Sequence, residues 1–255
     1  VTFSLTAVVT TLIFWLLRTL RWSILLKTEN TNIALGRLYL YTAVTVGFAN
    51  FTPFQAGEAL KVEFARKDGG PRISGYKFFF FEKLFDLVVI GFLSVLGVFV
   101  MLERFVNSNL PIAILVLTVV SILALIAVFW VFWKRPTGSD FVPGWRLVMQ
   151  SLLLTLASWA AMIFGWKLMF GSILINLSLL QTSTVIALTT VAGILSFVPG
   201  AIGVTEVTVA VLLAQLGFEQ SLAQAGAVLI GLYSFVVLLL AIFHLCLLKI
   251  SRSWR

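Results

Sequence analysis

Two glutamates in apolar sequence are the first candidates for chemistry in this chain. Glu58 closes the segment 50–58 and Glu206 closes the segment 196–206, and both segments read Phe-x-Pro, then glycine, then glutamate. A carboxylate inside a bilayer pairs with a cation, holds a proton or faces water. Lys61 lies three residues after Glu58 and can pair with it. Glu206 has no basic neighbour in the sequence, so it needs a distant partner or a proton.

A second pair of acids, Glu82 and Asp86, lies one turn apart on a predicted helix. Like charges at this spacing repel, so the face that they share needs positive partners. Lys61 and Arg66 are the candidates, because Lys83 is adjacent in the chain and points elsewhere. Asp86 should lie about 15 Å along its helix. A carboxylate at that depth is a functional candidate, and a structural ion-pair network is the alternative.

Two arginines stand near the end of the first predicted helix. Arg18 and Arg21 occur together with Trp15 and Trp22. Arginine and tryptophan in this position are typical of anchors at the membrane interface. They could also contact lipid phosphates.

The composition of the chain indicates that these charged residues belong to a membrane protein. The chain has 255 residues, of which 60% are hydrophobic and 11% are charged, whereas soluble domains have roughly 25% charged residues. The net charge of +8 indicates basic cytoplasmic loops and no nucleic-acid partner. Cys246 and His244 are the only residues of their types, so no disulfide, metal site or cofactor is expected.

Apolar runs predict continuous helices over 5–26, 76–101, 110–133, 147–170 and 221–249. Two further segments are interrupted by proline. The first divides into 38–51 and 55–66 around Pro53, and the second into 179–197 and 203–216 around Pro199. No piece of the first segment is long enough to cross a bilayer, so this segment is predicted to be a re-entrant hairpin of two half-helices. The distribution of positive charges along the chain is self-consistent only if the second segment also returns to the side from which it enters.

The positive charges orient these elements. Lys and Arg cluster at 18–37, 66–77, 134–146 and 249–255, which the positive-inside rule places in the cytoplasm together with the C-terminus. The first hairpin then enters from the cytoplasm and the second from outside. An offset of 146 residues maps Pro53 onto Pro199, position 5 onto 151 and position 76 onto 222. We therefore predict an all-α polytopic membrane protein, one domain over 1–255. Its two inverted repeats cover about 1–101 and 147–255, joined by a connecting helix over about 110–133.

The interrupted segments also have a predicted chemistry. Proline suits the first turn of a half-helix, and the N–H groups that follow attract anions. Gly57, Gly200 and Gly203 permit close approach of a ligand or another backbone. Paired interruptions in two halves are a pointer to a transporter's binding site. A kinked helix that packs through small residues is the structural alternative.

These motifs, taken in chain order, resemble a known family. They are Arg21-Trp22 with Leu25-Leu26, Gly47-x-x-Asn50-x-x-Pro53-x-x-x-Gly57-Glu58-x-x-Lys61, Glu82-Lys83-x-x-Asp86, and Pro199-Gly200-x-x-Gly203-x-x-Glu206. The chain resembles the transmembrane region of lysylphosphatidylglycerol synthetase/flippase proteins, a bacterial and archaeal family. The family often has arginine at the positions of Lys61 and Lys83, and another glycine at the position of Ala201.

The resemblance implies a flippase that moves a polar or charged phospholipid or glycolipid headgroup between leaflets of a prokaryotic plasma membrane. The expected lipid is anionic, aminoacylated or isoprenoid-linked, and a homo-oligomer or a separate lipid-modifying enzyme is a possible partner. No segment could be the family's synthase domain, and no catalytic motif is present, so no enzyme activity is expected. The candidate lipid-binding residues are Arg21, Asn50, Pro53, Gly57, Glu58, Lys61, Glu82, Asp86, Pro199, Gly200, Gly203 and Glu206.

Two other functions fit the same sequence. An ion-coupled secondary transporter of a small soluble anion would use the same polar cavity. A membrane anchor for an enzyme partner would not need intramembrane acids, which are costly to retain.

Overall fold

The computed structural model describes residues 2–100, 144–196 and 198–253, together with the isolated positions 119, 123 and 126. Within these residues the chain is helical and has no strand, so the all-α prediction is confirmed. The predicted connecting helix over 110–133 lies outside the described residues except at the three isolated positions. The helices are α1 (Thr2–Lys27), α2 (Leu35–Ala49), α3 (Leu60–Arg66), α4 (Ile73–Val100), α5 (Trp145–Gly171), α6 (Leu179–Leu195), α7 (Val204–Gln215) and α8 (Gln220–Ser253).

Three of the described helices are long and apolar enough to cross a membrane. These spans are Leu5–Lys27 in α1, Trp145–Gly171 in α5 and Gln220–Ser251 in α8. Helix α4 has 28 residues, about 42 Å at the usual rise of an α-helix, but four charged residues lie in its first half. The lengths and compositions of the helices are those of an integral membrane protein.

The first interrupted segment, residues 50–66, follows α2 and contains a 3₁₀ helix, Pro53–Ala59, and then α3. Pro53 starts this helix, as the sequence predicts. The N–H of Gly57 donates to Thr52 Oγ1 at 2.8 Å, so a side chain replaces part of the backbone hydrogen bonding at the break. Within the predicted half-helix over 55–66, only Leu60–Arg66 is α-helical, because the tighter 3₁₀ turns extend to Ala59.

The second interrupted segment, residues 196–206, breaks the chain between α6 and α7. A single 3₁₀ turn, Pro199–Ala201, follows the end of α6. Gly200 has φ 73° and Gly203 has φ 82°, values that favour glycine because a Cβ crowds the backbone there. Ala201 shares this left-handed region with φ 47°. The backbone therefore passes through three left-handed residues between α6 and α7.

Helices from the first half of the chain pack against helices from the second half. Helix α1 packs along α5, α2 packs against α8, α4 packs against α6, and α7 packs against both α6 and α8. The offset of 146 residues pairs α1 with α5, α2 with α6 and α4 with α8. Under this exchange the α2–α8 contact becomes the α6–α4 contact, and the α1–α5 contact becomes itself.

Each of these three contacts includes a glycine at close range, as is common where membrane helices approach through small residues. A Cβ placed on Gly47 of α2 would lie only 2.4 Å from Ala241 Cβ of α8. A Cβ on Gly97 of α4 would lie 2.3 Å from Thr184 Oγ1 of α6. A Cβ on Gly165 of α5 would lie 2.3 Å from the Thr10 side chain of α1.

Candidate functional site

Seven charged side chains meet where α1, α4 and the first interrupted segment come together. Six of them have side chains that are at least 95% buried, and Lys83 is the most exposed at 17%. We call this group the charge cluster. Its members are Arg18 and Arg21 from α1, Glu58 and Lys61 from the first interrupted segment, and Glu82, Lys83 and Asp86 from α4.

Helical spacing places these charges opposite one another. Arg18 and Arg21 are three residues apart and lie on one face of α1, because residues at this spacing are neighbours on a helix surface. Glu82 and Asp86 are four residues apart and share one face of α4. The two faces meet, so the repulsion within each pair is relieved by the opposite pair.

Arg21 is bonded to three residues through its whole guanidinium group. Nε donates to Glu82 Oε1 at 2.9 Å, while Nη1 and Nη2 donate to the two oxygens of Asp86 at 3.0 and 3.2 Å. Nη1 also lies 2.5 Å from Thr155 Oγ1 of α5. Arginine suits this position because its planar fork can bond two carboxylates at once. One side chain therefore ties α1 to both α4 and α5.

Arg18 joins the first interrupted segment to the same acids. Its Nη1 lies 3.1 and 3.2 Å from the two oxygens of Glu58, and its Nη2 lies 2.7 Å from Asp86 Oδ2. The guanidinium stacks 4.6 Å from the centre of the Phe14 ring. The interpretation of Arg18 and Arg21 as interfacial anchors is wrong, because acids of α4 and the interrupted segment hold both side chains in the interior.

Lys61 and Lys83 complete the cluster from two elements. Lys61 Nζ lies 3.0 Å from Glu58 Oε1, which confirms the predicted local pair, and 2.5 Å from Glu82 Oε2. Lys83 Nζ pairs with Glu58 Oε2 and lies 3.4 Å from Gln55 Oε1. As predicted, Lys83 forms no ion pair with Glu82 or Asp86 among the described residues, and its long side chain instead reaches across to Glu58 of the first interrupted segment.

Arg66, the other predicted partner of Glu82 and Asp86, does not contact them. Arg66 Nε pairs with Glu63 Oε2 at 2.8 Å on the exposed side of α3. Asp86 is bound by Arg18 and Arg21 instead. The acids of α4 thus find their main partners on α1, which is far from them in the sequence.

Glu206 has a different environment from Glu58. Its Oε2 accepts a hydrogen bond from the Gly203 N–H at 2.7 Å, which caps the start of α7. On its other side α8 approaches closely, since a Cβ on Gly231 would lie 2.9 Å from Glu206 Oε1. Among the described residues no ion pair or hydrogen bond joins Glu206 to the charge cluster. The sequence predicts a distant partner or a proton for Glu206, whereas the partner that the structure shows is a backbone N–H only three residues away.

The two interrupted segments touch each other. A Cβ on Gly200 would lie 3.3 Å from Phe51 Cδ1, so the start of the first break packs against the turn of the second. Asn50 is exposed at the end of α2. Pro53 and Pro199 begin their 3₁₀ turns. The predicted residues Asn50, Pro53, Gly57, Pro199, Gly200 and Gly203 thus lie on two segments in contact, while Arg21, Glu58, Lys61, Glu82 and Asp86 lie in the charge cluster.

The free N–H groups that were expected to attract anions after each proline are partly occupied. The Gly57 N–H is bonded to Thr52 and the Gly203 N–H to Glu206. Anion binding at these positions would therefore need the loss of an existing hydrogen bond. Charged side chains are the stronger candidates for an anionic ligand.

Two further features lie outside the charge cluster. A pocket of about 310 Å³ at the start of α2 is lined by residues that include Arg37, Lys67 and Asp68, and no member of the cluster lines it. Arg37 Nη1 pairs with Asp68 Oδ2 at 3.0 Å beside this pocket. In the described part of the chain, no three His, Cys, Asp or Glu side chains are placed to hold a metal ion.

Sequence reasoning missed Arg18, Lys83 and Thr155 as members of the site. The spacing of Arg18 and Arg21, one turn apart, matches that of the two acids on α4 and could have identified Arg18. Thr155 gives no such signal, because a threonine in an apolar helix is ordinary until its neighbour is known.

A protein family described as lysylphosphatidylglycerol synthase TM region matches residues 1–242 of the chain. The matched region includes the whole charge cluster and both interrupted segments. No curated protein and no solved structure matches the chain.

Proposed function

The chain belongs to the lysylphosphatidylglycerol synthase transmembrane-region family, and from this premise we propose that it is a membrane lipid translocase. It moves the polar or charged headgroup of a phospholipid or glycolipid between leaflets while the acyl chains stay in the lipid. Family membership supports a function in handling membrane lipids. The movement itself is our proposal.

The charge cluster is the observation that carries this proposal. Seven ionisable side chains lie together among helices of an integral membrane protein, and taking a charged group of this kind out of water costs several kcal/mol. Ionisable residues at membrane depth mark substrate or ion pathways. The cluster also joins the first interrupted segment to α1 and α4, so movement of that segment requires ion pairs to break and form again. Such a group can guide a polar headgroup past an apolar core.

We propose that the interrupted segments are re-entrant hairpins within two inverted repeats, over about 1–101 and 147–255. The exchange of the α2–α8 and α6–α4 contacts under one sequence offset supports a two-fold relation between the halves. The contact between Phe51 and Gly200 supports a shared pathway at the tips of the hairpins. The residues proposed to line it are Arg21, Asn50, Pro53, Gly57, Glu58, Lys61, Glu82, Asp86, Pro199, Gly200, Gly203 and Glu206.

The proposed setting follows from the positive charges and the family. The protein lies in a prokaryotic plasma membrane with its C-terminus in the cytoplasm. Its substrate is an anionic or aminoacylated phospholipid or an isoprenoid-linked lipid, and a lipid-modifying enzyme acts as a separate partner. The chain itself translocates without catalysis, and it can form a homo-oligomer.

Reconstitution into vesicles tests the function. The purified chain is incorporated into liposomes with a trace of NBD-labelled phosphatidylglycerol, and dithionite reports the fraction of label in the outer leaflet over time. We expect faster exchange than in protein-free vesicles, and slower exchange when Glu58→Gln and Glu206→Gln are combined. Glu219→Gln removes an exposed carboxylate and is the matched control. Equal exchange by the wild type and the double variant contradicts the roles of these acids, and exchange no faster than in empty vesicles contradicts the function.

A second candidate, an ion-coupled transporter of a small soluble anion, is favoured by one feature. Positive side chains outnumber negative ones in the charge cluster, which would suit a free anion as well as a lipid phosphate. The same vesicles distinguish the two functions. Uptake of radiolabelled phosphate or sulfate without any change in lipid exchange would favour the soluble anion.

A further inference from the structure

A pocket at the start of α2 lies apart from the proposed lipid pathway. Its volume is about 310 Å³, at the lower end of the roughly 300–1,000 Å³ that small-molecule sites occupy. We call it the α2 pocket. Its lining comes from the link before α2, from the first turn of α2 and from the turn after α3, and consists of Asn32, Ile33, Ala34, Arg37, Lys67 and Asp68. Because no member of the charge cluster lines it, a ligand bound here is separate from the translocated headgroup.

The charged side chains of the α2 pocket favour an anionic ligand. Arg37 and Lys67 are basic, and Asp68 is the acid among the lining residues. Lys67 is exposed and forms no ion pair with any residue that the structure describes. Arg37 bonds Asp68 through Nη1 at 3.0 Å, and its guanidinium group has further N–H donors. An anion in the pocket therefore meets one lysine without an acidic partner and one arginine that can bond more than one acceptor.

The position of the α2 pocket indicates that its ligand comes from water. Four of the six lining residues lie in links between helices, and irregular backbone of this kind is not exposed to lipid tails. Asn32, Ala34 and Lys67 are exposed. The apolar lining in the described part of the chain is limited to Ile33 and Ala34, which offer little surface to an acyl chain.

Asp68 is an internal competitor for such a ligand. Its Oδ2 accepts hydrogen bonds from Arg37 Nη1 at 3.0 Å and from the Tyr41 hydroxyl at 2.5 Å. The side chains of Arg37 and Asp68 are 16% and 15% exposed, so water and solutes reach the pair. A bound anion can take Arg37 while Asp68 keeps its hydrogen bond from Tyr41. This exchange is easy, because partly exposed ion pairs are weak.

We propose that the α2 pocket binds a small water-soluble phosphate compound, with Arg37 and Lys67 on its phosphate group and in exchange with Asp68. Phosphate suits this pair, because arginine presents paired N–H donors that match phosphate oxygens and lysine adds a point charge. The Arg37–Asp68 pair joins the start of α2 to the turn after α3, which are the two ends of the first proposed hairpin. Occupation of the pocket loosens this link, so a solute can act on that hairpin.

Equilibrium dialysis tests this site directly. The full chain in dodecyl maltoside micelles is dialysed against radiolabelled pyrophosphate at constant ionic strength, with protein-free micelles as the blank. We expect saturable binding that excess unlabelled pyrophosphate displaces and that dihexanoyl phosphatidylglycerol in the same micelles does not displace. Displacement by the lipid assigns the pocket to a headgroup and overturns the soluble ligand. The absence of saturable binding overturns the site.

Variants of Lys67 separate the pocket from a general effect of positive charge. Lys67→Gln should lower the affinity for pyrophosphate about tenfold, as expected for the loss of one hydrogen bond to a charged group. Lys67→Arg keeps the charge and should preserve binding. Lys249→Gln removes another exposed lysine, at the end of α8, and is the matched control that should bind as the wild type does. Equal weakening by Lys67→Gln and Lys249→Gln overturns the assignment to this pocket.

Asp68→Asn tests the competition for Arg37. Removing the carboxylate charge frees Arg37 for the ligand, so the affinity for pyrophosphate should rise about two- to fivefold, the range that a partly exposed ion pair allows. A purely structural ion pair predicts a lower midpoint of thermal unfolding and no gain in affinity, and that result overturns the exchange. If Asp68→Asn does not fold, the Lys67 variants still decide on the site, because Lys67 has no ion pair to lose. Pyrophosphate binding by a chain that moves no lipid supports the site and contradicts only the translocase.

Discussion

Arg21 of α1 and Asp86 of α4 bind each other at two points, with Nη1–Oδ1 at 3.0 Å and Nη2–Oδ2 at 3.2 Å. Both side chains are almost completely buried. This fork-to-fork pair defines how α1 and α4 are aligned, because two parallel hydrogen bonds fix orientation as well as distance. Glu58 and Lys61 of the interrupted segment then bind around it.

Replacing Arg21 by lysine tests whether the planar guanidinium group is needed to bind Glu82 and Asp86 together. Arg21→Lys keeps the charge but cannot bond Glu82, Asp86 and Thr155 together. We expect the free energy of unfolding to fall by about 3 kcal/mol, the order seen when a buried ion pair loses a partner. Unfolding by SDS in mixed micelles measures the change, with the exposed Arg146→Lys as control. A loss no larger than that of the control would mean that bidentate geometry is unimportant here.

The contact between Lys61 and Glu82 should behave as a coupled pair. Lys61→Met leaves two buried carboxylates, Glu58 and Glu82, each with one partner fewer, and Glu82→Met does the same to Lys61 and Arg21. Each single change is expected to cost about 3–5 kcal/mol. The double change should cost clearly less than the sum, because neither charge is left behind. The same unfolding measurement on all four proteins gives the coupling, and strict additivity would contradict a direct interaction.

Glu206 should tolerate glutamine better than alanine. Its side chain caps α7 through the Gly203 N–H, and glutamine can make the same bond. We expect Glu206→Ala to lower the free energy of unfolding by about 1 kcal/mol and Glu206→Gln to change it little. The lipid-exchange assay adds a second readout. A Glu206→Gln protein that is stable but exchanges lipid slowly would indicate that the carboxylate charge has a role beyond capping.

Ala201 is predicted to be a strained position that glycine relieves. Its φ of 47° crowds the Cβ against the backbone, a conformation that costs an L-residue about 1–2 kcal/mol. Ala201→Gly should raise the midpoint of thermal unfolding, although the freer unfolded chain removes part of the gain. Ala210→Gly, within α7, is the control and should lower the midpoint. A drop in both variants would argue against a left-handed residue at 201.

The close contact between α2 and α8 leaves no room for a methyl group at position 47, which is glycine. A Cβ there would lie 2.4 Å from Ala241 Cβ, so the helices must separate to admit it. We expect Gly47→Ala to cost about 1–3 kcal/mol. Adding Ala241→Gly removes the opposing methyl group and should recover part of the loss. No recovery in the double variant would show that another neighbour of Gly47, such as Trp15, causes the effect.

Helix positions were predictable because they depend on local composition. Long apolar runs give α1, α5 and α8, and proline ends α2 and α6 near the expected residues. The backbone after Pro53 was harder to predict. Its 3₁₀ geometry depends on the Thr52 hydroxyl and on a left-handed Gln55, which helix patterns do not encode.

The partners of the charges needed the folded chain. Glu58 and Lys61 are close in sequence, so their pairing follows from helical spacing alone. Arg18 and Arg21 were misread, because an arginine near a tryptophan looks the same in the sequence whether it faces lipid headgroups or the interior. Their burial became clear only when α1 and α4 were placed side by side.

The sequence by itself determined that this chain is an all-helical membrane protein, the approximate bounds of its described helices except the start of α3, and which family it resembles. These properties depend on hydrophobic length, on proline and glycine, and on short motifs, all of which are local. Only the tertiary structure decided that seven charges form one cluster and that Glu206 stands apart from it. Charges interact according to their distance in space, and helices far apart in the chain set that distance.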